Sequence, residues 1–282
     1  MALNIGEIKY TNILPLFFYL NKKEIEKTGA QFIPQVPAEL NRRMARGEID
    51  LGGISSFAYG ENSHQYSLFP NLSVSTYGKV GSILLFSKTK IEELDGRSIA
   101  LTSSSATSVA LLKVILKEFL GVNPYYETMT PNYDEMLSSH DACLLIGEDA
   151  IKGGWRQEKD IYVYDLGELW YENTNLPMTY AVMAVRNDAI KREAPLLEKL
   201  LIQMTESKGR TKADGYQEMI EDVLHEHGGE SAFWSHYFQG INYDLSENHI
   251  KGLKLYFELA YKHSFIQSLP EFTFFNYSLQ GI

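Results

Sequence analysis

The densest run of hydrogen-bonding side chains lies at Thr102-Ser103-Ser104-Ser105-Ala106-Thr107-Ser108. It joins a strand-like run, 98–101, to a helical one, 107–120. Hydroxyls and backbone N–H groups would therefore meet at a helix start, where the macrodipole favours an anion by about 0.3–1 kcal/mol. Ser105, Thr107 and Ser108 are the candidate ligand groups, and a plain polar linker is the competing reading. The phosphate-binding pattern GxxxxGK[ST] is missing, so a carboxylate is a better expectation than a nucleotide.

Four further segments sit where a strand hands over to a turn or helix. In Tyr10-Thr11-Asn12-Ile13-Leu14-Pro15, Asn12 either caps the following helix or presents its amide to a ligand. In Gly53-Ile54-Ser55-Ser56-Phe57, the hydroxyls of Ser55 and Ser56 either cap or bind. In Tyr77-Gly78-Lys79-Val80-Gly81-Ser82, two glycines allow close backbone approach and Ser82 begins a strand; the plain alternative is a hairpin turn. Gly147-Glu148-Asp149 follows an apolar strand, and its acidic pair either faces a ligand or starts a helix. Other chemistries find no pattern. The seven histidines form no HExxH, His225 and His227 point to different sides of a helix, and no GxSxG elbow occurs. Cys143 is the only cysteine, so a disulfide or a cysteine zinc cage within the chain is impossible; its apolar surroundings read as a buried, inert thiol.

The elements that must position these groups alternate. Strand-like runs at 3–9, 30–34 and 50–55 enclose helical patterns at 14–20 and 37–46, the latter ending at Gly47, an expected left-handed terminator. Runs at 72–76 and 82–87 flank the glycine loop. A second series follows, with strands at 98–101, 125–128, 142–146, 161–165 and 179–185, a helix at 107–120, and the stretch 166–171 between the last two strands. Beyond residue 186 the pattern is helical, at 188–207, 212–227, 231–238 and 246–263. This order predicts βαβ units with largely parallel sheets and one lobe interrupted by another. Residues 1–86 plus 187–282 would form lobe one and 87–186 lobe two, with a two-strand hinge and a central cleft between two α/β lobes.

The 282 residues suit two lobes, and the 44% apolar content excludes a disordered chain. A net charge of −10 speaks against nucleic acid or an acidic membrane surface as partner. No run of about 18 apolar residues and no basic segment leading into an apolar stretch occurs, so a cytoplasmic location is expected.

Taken together, the segments resemble a family. The order Gly6-Glu7-Ile8-x-Tyr10-x-Asn12-x-x-Pro15-Leu16, Gly47-Glu48-Ile49-Asp50, Gly78-x-Val80-x-Ser82, Ile99-Ala100-Leu101-Thr102, Ser105-x-Thr107-Ser108 and Leu145-Ile146-Gly147-x-x-Ala150 is similar to the menaquinone-biosynthesis enzymes of the futalosine route. Asp165-Leu166-Gly167-x-x-Trp170 and Leu176-Pro177-x-x-x-Ala181-Val182 extend the likeness through residue 185. The chain resembles the chorismate dehydratase branch more than the sister 1,4-dihydroxy-6-naphthoate synthases; a non-catalytic small-anion-binding protein is the other rival. The resemblance implies a type II periplasmic-binding-protein-like fold and the conversion of chorismate to 3-[(1-carboxyvinyl)oxy]benzoate and water, with no cofactor and no metal. It also implies that Asn12 and Ser82 form the active-site polar pair and that Thr107 and Ser108 hold a substrate carboxylate. Ser55, Ser56, Ser105, Gly147 and Asp149 complete the expected substrate contacts, and a homodimer is one expected assembly. Thr11 departs from the leucine usual in that family.

Overall fold

The computed structural model describes residues 2–8 and 10–276. Residue 9, the end of the first expected strand, lies outside them. In chain order the first elements are β1 (Asn4–Ile8), α1 (Leu14–Phe17), α2 (Lys22–Glu26), β2 (Gln31–Gln35), α3 (Pro37–Ala45), β3 (Leu51–Ser55), α4 (Ser56–Asn62) and β4 (Tyr66–Thr76). There follow β5 (Ile83–Ser87), β6 (Ser98–Thr102), α5 (Ala106–Val114), β7 (Tyr125–Met129), α6 (Tyr133–Ser139), β8 (Ala142–Ile146), α7 (Gly147–Trp155), β9 (Tyr162–Asp165) and α8 (Leu166–Thr174). The chain returns along β10 (Met178–Arg186) into α9 (Asn187–Ala213), α10 (Gln217–His227), α11 (Ser231–Gly240), β11 (Ile241–Asn242) and α12 (Glu247–Lys262).

Local chemistry explains the boundaries. Pro37 opens α3, Glu39 lies in its first turn and Arg42 and Arg43 in its last, each with the charge that suits the helix dipole. Gly47, at φ +75°, ends it. Leu40 and Met44, one turn apart, are the buried face of α3. A side chain on Gly6 of β1 would collide with Leu40, so the missing Cβ is what lets α3 lie on the sheet. In α9 the backbone leaves helical values at Glu193, two residues before Pro195, which has no N–H to continue the ladder. The helical run 107–120 does not stay regular. Past Val114 it widens into a π-helical turn, Ile115–Phe119.

The chain divides into two compact units. Met1–Val74, Ala181–Ser246 and Pro270–Ile282 form the first; Ser75–Tyr180 and Glu247–Leu269 form the second. The first unit is built on a six-stranded sheet of order β11-β4-β10-β3-β1-β2, and the second on a five-stranded sheet of order β7-β6-β8-β5-β9. The sheets are mixed, where the sequence suggested largely parallel ones. β1 runs parallel to β2 and β3, and β6 parallel to β7 and β8. β10 runs antiparallel to β3, and β5 antiparallel to both β8 and β9. The physical reason is connectivity: neither β5 nor β10 is reached through a crossover helix of its own sheet, so nothing forces it to be parallel.

The two compact units differ in their boundaries from the expected lobes, 1–86 plus 187–282 and 87–186. The first boundary falls at 74/75, the return at 180/181, and α12 belongs to the second unit rather than the first. Packing accounts for the reassignment of α12. Gly252 lies against the carbonyl of Pro177, where a Cβ would overlap the oxygen. Tyr256 meets Trp170 edge-on at 6.3 Å, and both are fully buried. Lys262 and His263 both reach Glu118, at 2.7 and 2.8 Å.

Gly252→Ala therefore inverts the usual helix rule. Propensity alone would add about 1 kcal/mol of stability, but the clash with immovable backbone should lower it by about 1–3 kcal/mol. Urea unfolding of the two proteins checks the sign.

Candidate functional site

In the first unit, β1 and β3 are parallel neighbours, Ile5 opposite Leu51 and Gly6 opposite Gly52. Whatever follows each strand therefore emerges at the same edge, the carboxyl edge where open α/β sheets bind ligands. Asn12 follows β1 in a short 3₁₀ turn, Thr11–Ile13, and Ser55 closes β3. The turn is seated by Ile13, which is buried over Gly53 at a distance that leaves no room for a Cβ there. Asn12 is half-buried and caps nothing: the residues preceding the 3₁₀ turn and α1 are Tyr10 and Ile13, without side-chain caps. Among the described residues no hydrogen bond uses its carboxamide. Ser55, in contrast, is spent on structure. Its Oγ accepts from the Ala58 N–H at 3.2 Å and from Asn41 Nδ2 at 3.1 Å, while its own N–H donates to Asn41 Oδ1 at 3.1 Å. Ser56, in the first turn of α4, is fully buried.

The second unit gathers the remaining six candidates at one sheet edge. β6 and β8 are parallel and end at Thr102 and Ile146; β5 runs the other way and begins opposite Ile146. Ser82, the 102–108 run and Gly147 through Asp149 thus share that edge. Ser82 is buried, and its carbonyl accepts the Gly147 N–H at 2.7 Å, with Gly147 at φ +58°. The loop before it is no hairpin, because β4 and β5 lie in different sheets. Lys79 in that loop is exposed and pairs with Glu168 at 3.4 Å.

At the start of α5 the hydroxyls divide their labour. Ser105 is the N-cap: its Oγ accepts the Ser108 N–H at 3.1 Å and donates to Ser108 Oγ at 3.0 Å. Ser108 Oγ acts there as an acceptor, and among the described residues no group accepts its own hydrogen. Thr107 and Ser108 are buried, Ser103 exposed. Asp149 is exposed in the first turn of α7; partial burial of its carboxyl and the charge of Glu148 raise its pKa. Glu148 itself pairs with Lys152 at 3.8 Å, the helix-initiating arrangement.

Two residues absent from the sequence-derived set organise this edge. The hydroxyl of Tyr256 donates to the carbonyl of Thr107 at 3.2 Å and so braces α5 from α12. In the sequence it is one more aromatic in an amphipathic stripe, with no signal of its own. Asp165 caps α8 and also holds the glycine loop, through N–H bonds from Gly167, Glu168, Val80 and Gly81. A cap-type residue between a strand and a helix was the available signal for it. Burial pushes the Asp165 carboxyl up in pKa, and the four N–H donors offset only part of that rise. Its ionisation is thus a cost to folding: the contribution is most favourable below the ordinary carboxylate range and is lost as pH rises through the raised value.

Because Ser105 is spent on capping, Ser105→Ala should cost about 0.5–2 kcal/mol of stability. Chemical denaturation measures this; an unchanged midpoint would contradict the cap.

Comparison with known proteins adds the following. A family model described as menaquinone biosynthesis matches residues 3–262. A chorismate dehydratase of Thermus thermophilus is 34% identical over 268 residues, covering 90% of this chain and 93% of that protein. A 1,4-dihydroxy-6-naphthoate synthase of the same organism is 24% identical, covering 87% and 89%. Among solved structures, the periplasmic aliphatic sulphonate binding protein of Escherichia coli superposes with a TM-score of 0.67 at 14% identity, over 100% of this chain and 96% of that one. That likeness speaks for the fold alone, which is periplasmic-binding-protein-like α/β.

Proposed function

The chain belongs to the menaquinone biosynthesis family, and on that premise we propose that it is a chorismate dehydratase, a carbon–oxygen lyase that converts chorismate to 3-[(1-carboxyvinyl)oxy]benzoate and water. The observation that carries the reading is the 34% identity to the Thermus dehydratase across nine-tenths of the chain, against 24% for the naphthoate synthase.

The reaction breaks the ring C–OH bond and an adjacent ring C–H bond, forms the last ring double bond, and releases water. Aromatisation supplies much of the driving force. The protein has to hold a dianion in one geometry, keep water away and stabilise charge as it develops. We assign Asn12 and Ser82 as the polar pair at the reacting ring; the uncommitted carboxamide of Asn12 supports this. Thr107 and Ser108 hold one carboxylate at the start of α5, where the free hydrogen of Ser108 and the helix dipole both favour an anion. Ser56, Gly147 and Asp149 are assigned to the periphery of the substrate, and Ser55 and Ser105 support it through the turns they cap. The substrate's enolpyruvyl carboxylate takes the ring proton, which leaves with the hydroxyl as water. The same reading puts the protein in the cytoplasm, working without cofactor, nucleic acid or membrane. A homodimer is compatible with it.

Incubation of the pure protein with chorismate alone, followed by mass analysis, should yield the aromatic ether. Asn12→Ala and Ser82→Ala should each lower turnover on the order of a hundredfold, the usual cost of one preorganised donor, while leaving the circular dichroism spectrum unchanged. Unaltered chorismate would refute the activity, and near-normal turnover in both variants would refute the residue assignment.

A further inference from the structure

The two oxygens of Asp165 serve different segments. Oδ1 accepts from Gly167 at 2.8 Å and Glu168 at 3.2 Å, the first amides of α8. Oδ2 accepts from Gly81 at 2.7 Å and Val80 at 3.0 Å, the residues immediately before Ser82; Val80 also lies 3.1 Å from Oδ1. Oδ1 starts the helix and shares the Val80 amide, and Oδ2 alone holds the amide of Gly81.

The loop is fastened to the same helix start from its other side. The Thr76 hydroxyl donates to the Gly78 carbonyl at 2.8 Å and lies 3.0 Å from the Tyr180 hydroxyl. Gly167 sits beneath these groups, and a Cβ on it would overlap both the Gly78 carbonyl oxygen and the Tyr180 hydroxyl. Gly78 and Gly81 have φ of +103° and +70°, so the loop's path is one that other residues resist. After Ser82 the chain is locked again by the Gly147 N–H on its carbonyl and by the pairing of Ile83 with Ile146. Ser82 is therefore held from both sides, with Asp165 supplying the grip on the upstream side.

We propose that Asp165 is a positioning residue of the active site: its Oδ2, through the amides of Val80 and Gly81, sets where Ser82 stands. The inference rests on the dehydratase reading for its consequence in turnover, but its structural half is independent of that reading. Stability alone does not account for the carboxylate. A cap needs one oxygen, which asparagine supplies equally well.

That difference provides the test. Asp165→Asn keeps a carbonyl oxygen for Gly167 and Glu168 but turns an amide donor toward the N–H groups of Gly81 and Val80. Hydrogen–deuterium exchange should accelerate at least tenfold in peptides covering 77–83 and stay within twofold in those covering 166–174. With chorismate, kcat should fall at least tenfold while KM changes less than about threefold, since a small misplacement costs catalysis more than binding. Gly167→Ala pushes the same loop from the Gly78 side while keeping the Asp165 carboxylate, and should show the same split between kcat and KM. The double variant should be no worse than the more severe single one, because both release one loop.

Unchanged exchange at 77–83, or faster exchange confined to 166–174, would overturn the proposal. So would kcat within twofold of wild type in Asp165→Asn when Ser82→Ala is defective. If Ser82→Ala is fully active, the assignment of Ser82 fails instead, and exchange at 77–83 alone decides whether Asp165 positions the loop.

Discussion

The first amides of every helix lack an acceptor within the helix, and how each is satisfied determines what remains for a ligand. Around the candidate residues the same problem has three different solutions. α4 and α5 each take the hydroxyl of the preceding serine, Ser55 and Ser105. α8 takes a whole carboxylate and shares it with a loop eighty-odd residues earlier in the chain. α7 begins with no side-chain cap, only acidic residues in its first turn. The Ser105 hydroxyl both accepts and donates in the process, whereas those of Ser55 and Ser108 act only as acceptors. A row of polar residues that looks uniform as a string is thus sorted by backbone demand into supports and donors.

That sorting marks the limit of what the sequence discloses. Strand ends were legible because alternation and apolar runs locate them. The buried run 142–146 coincides with β8, and Gly47 ends α3 in the left-handed conformation expected of it. β4 was legible only in its second half. The strand runs on through Pro70 and Asn71, residue types that favour turns, with Asn71 at φ +58° and its carbonyl taken by Lys208 at 2.8 Å. Tertiary contacts overrode the local signal. The same is true of α12. Its amphipathic stripe is evident, but only the bare Gly252 against Pro177 reveals which unit it covers, and no local pattern encodes that. At the site, the choice between capping and binding for Ser55 and Asn12 turned on where single amides point, a matter of ångströms rather than of residue type.

Charge raises a further constraint. A chain with net charge −10 acting on a dianion, as proposed, would gain nothing from long-range attraction, and at physiological salt the repulsion is screened beyond about 8 Å. None of the residues assigned to the site is lysine or arginine, so affinity must come from neutral donors at close range. Neutral donors gain less from mere proximity than a cation does; they contribute when distance and angle are right. Such a site places its weight on backbone held in fixed positions, which is where the positive-φ glycines 78, 81 and 147 and the clamped loop occur.

The two aspartates near this edge show what that implies. Asp165 brings a negative charge into the same unit as the donors, but four N–H groups surround it and answer part of that charge where it arises. Asp149 has no such shell. It sits exposed beside Glu148, so an approaching carboxylate meets a second and third negative charge. A carboxylate so placed helps an anionic ligand only when protonated, when it becomes a donor like the hydroxyls around it. The upward pull on its pKa works in that direction, while its exposure to water works against it. Of the nine residues the sequence nominates, Asp149 is the one whose chemistry fits an anionic ligand least, whereas Ser108 is a neutral hydroxyl buried at a helix start, where the dipole favours an anion.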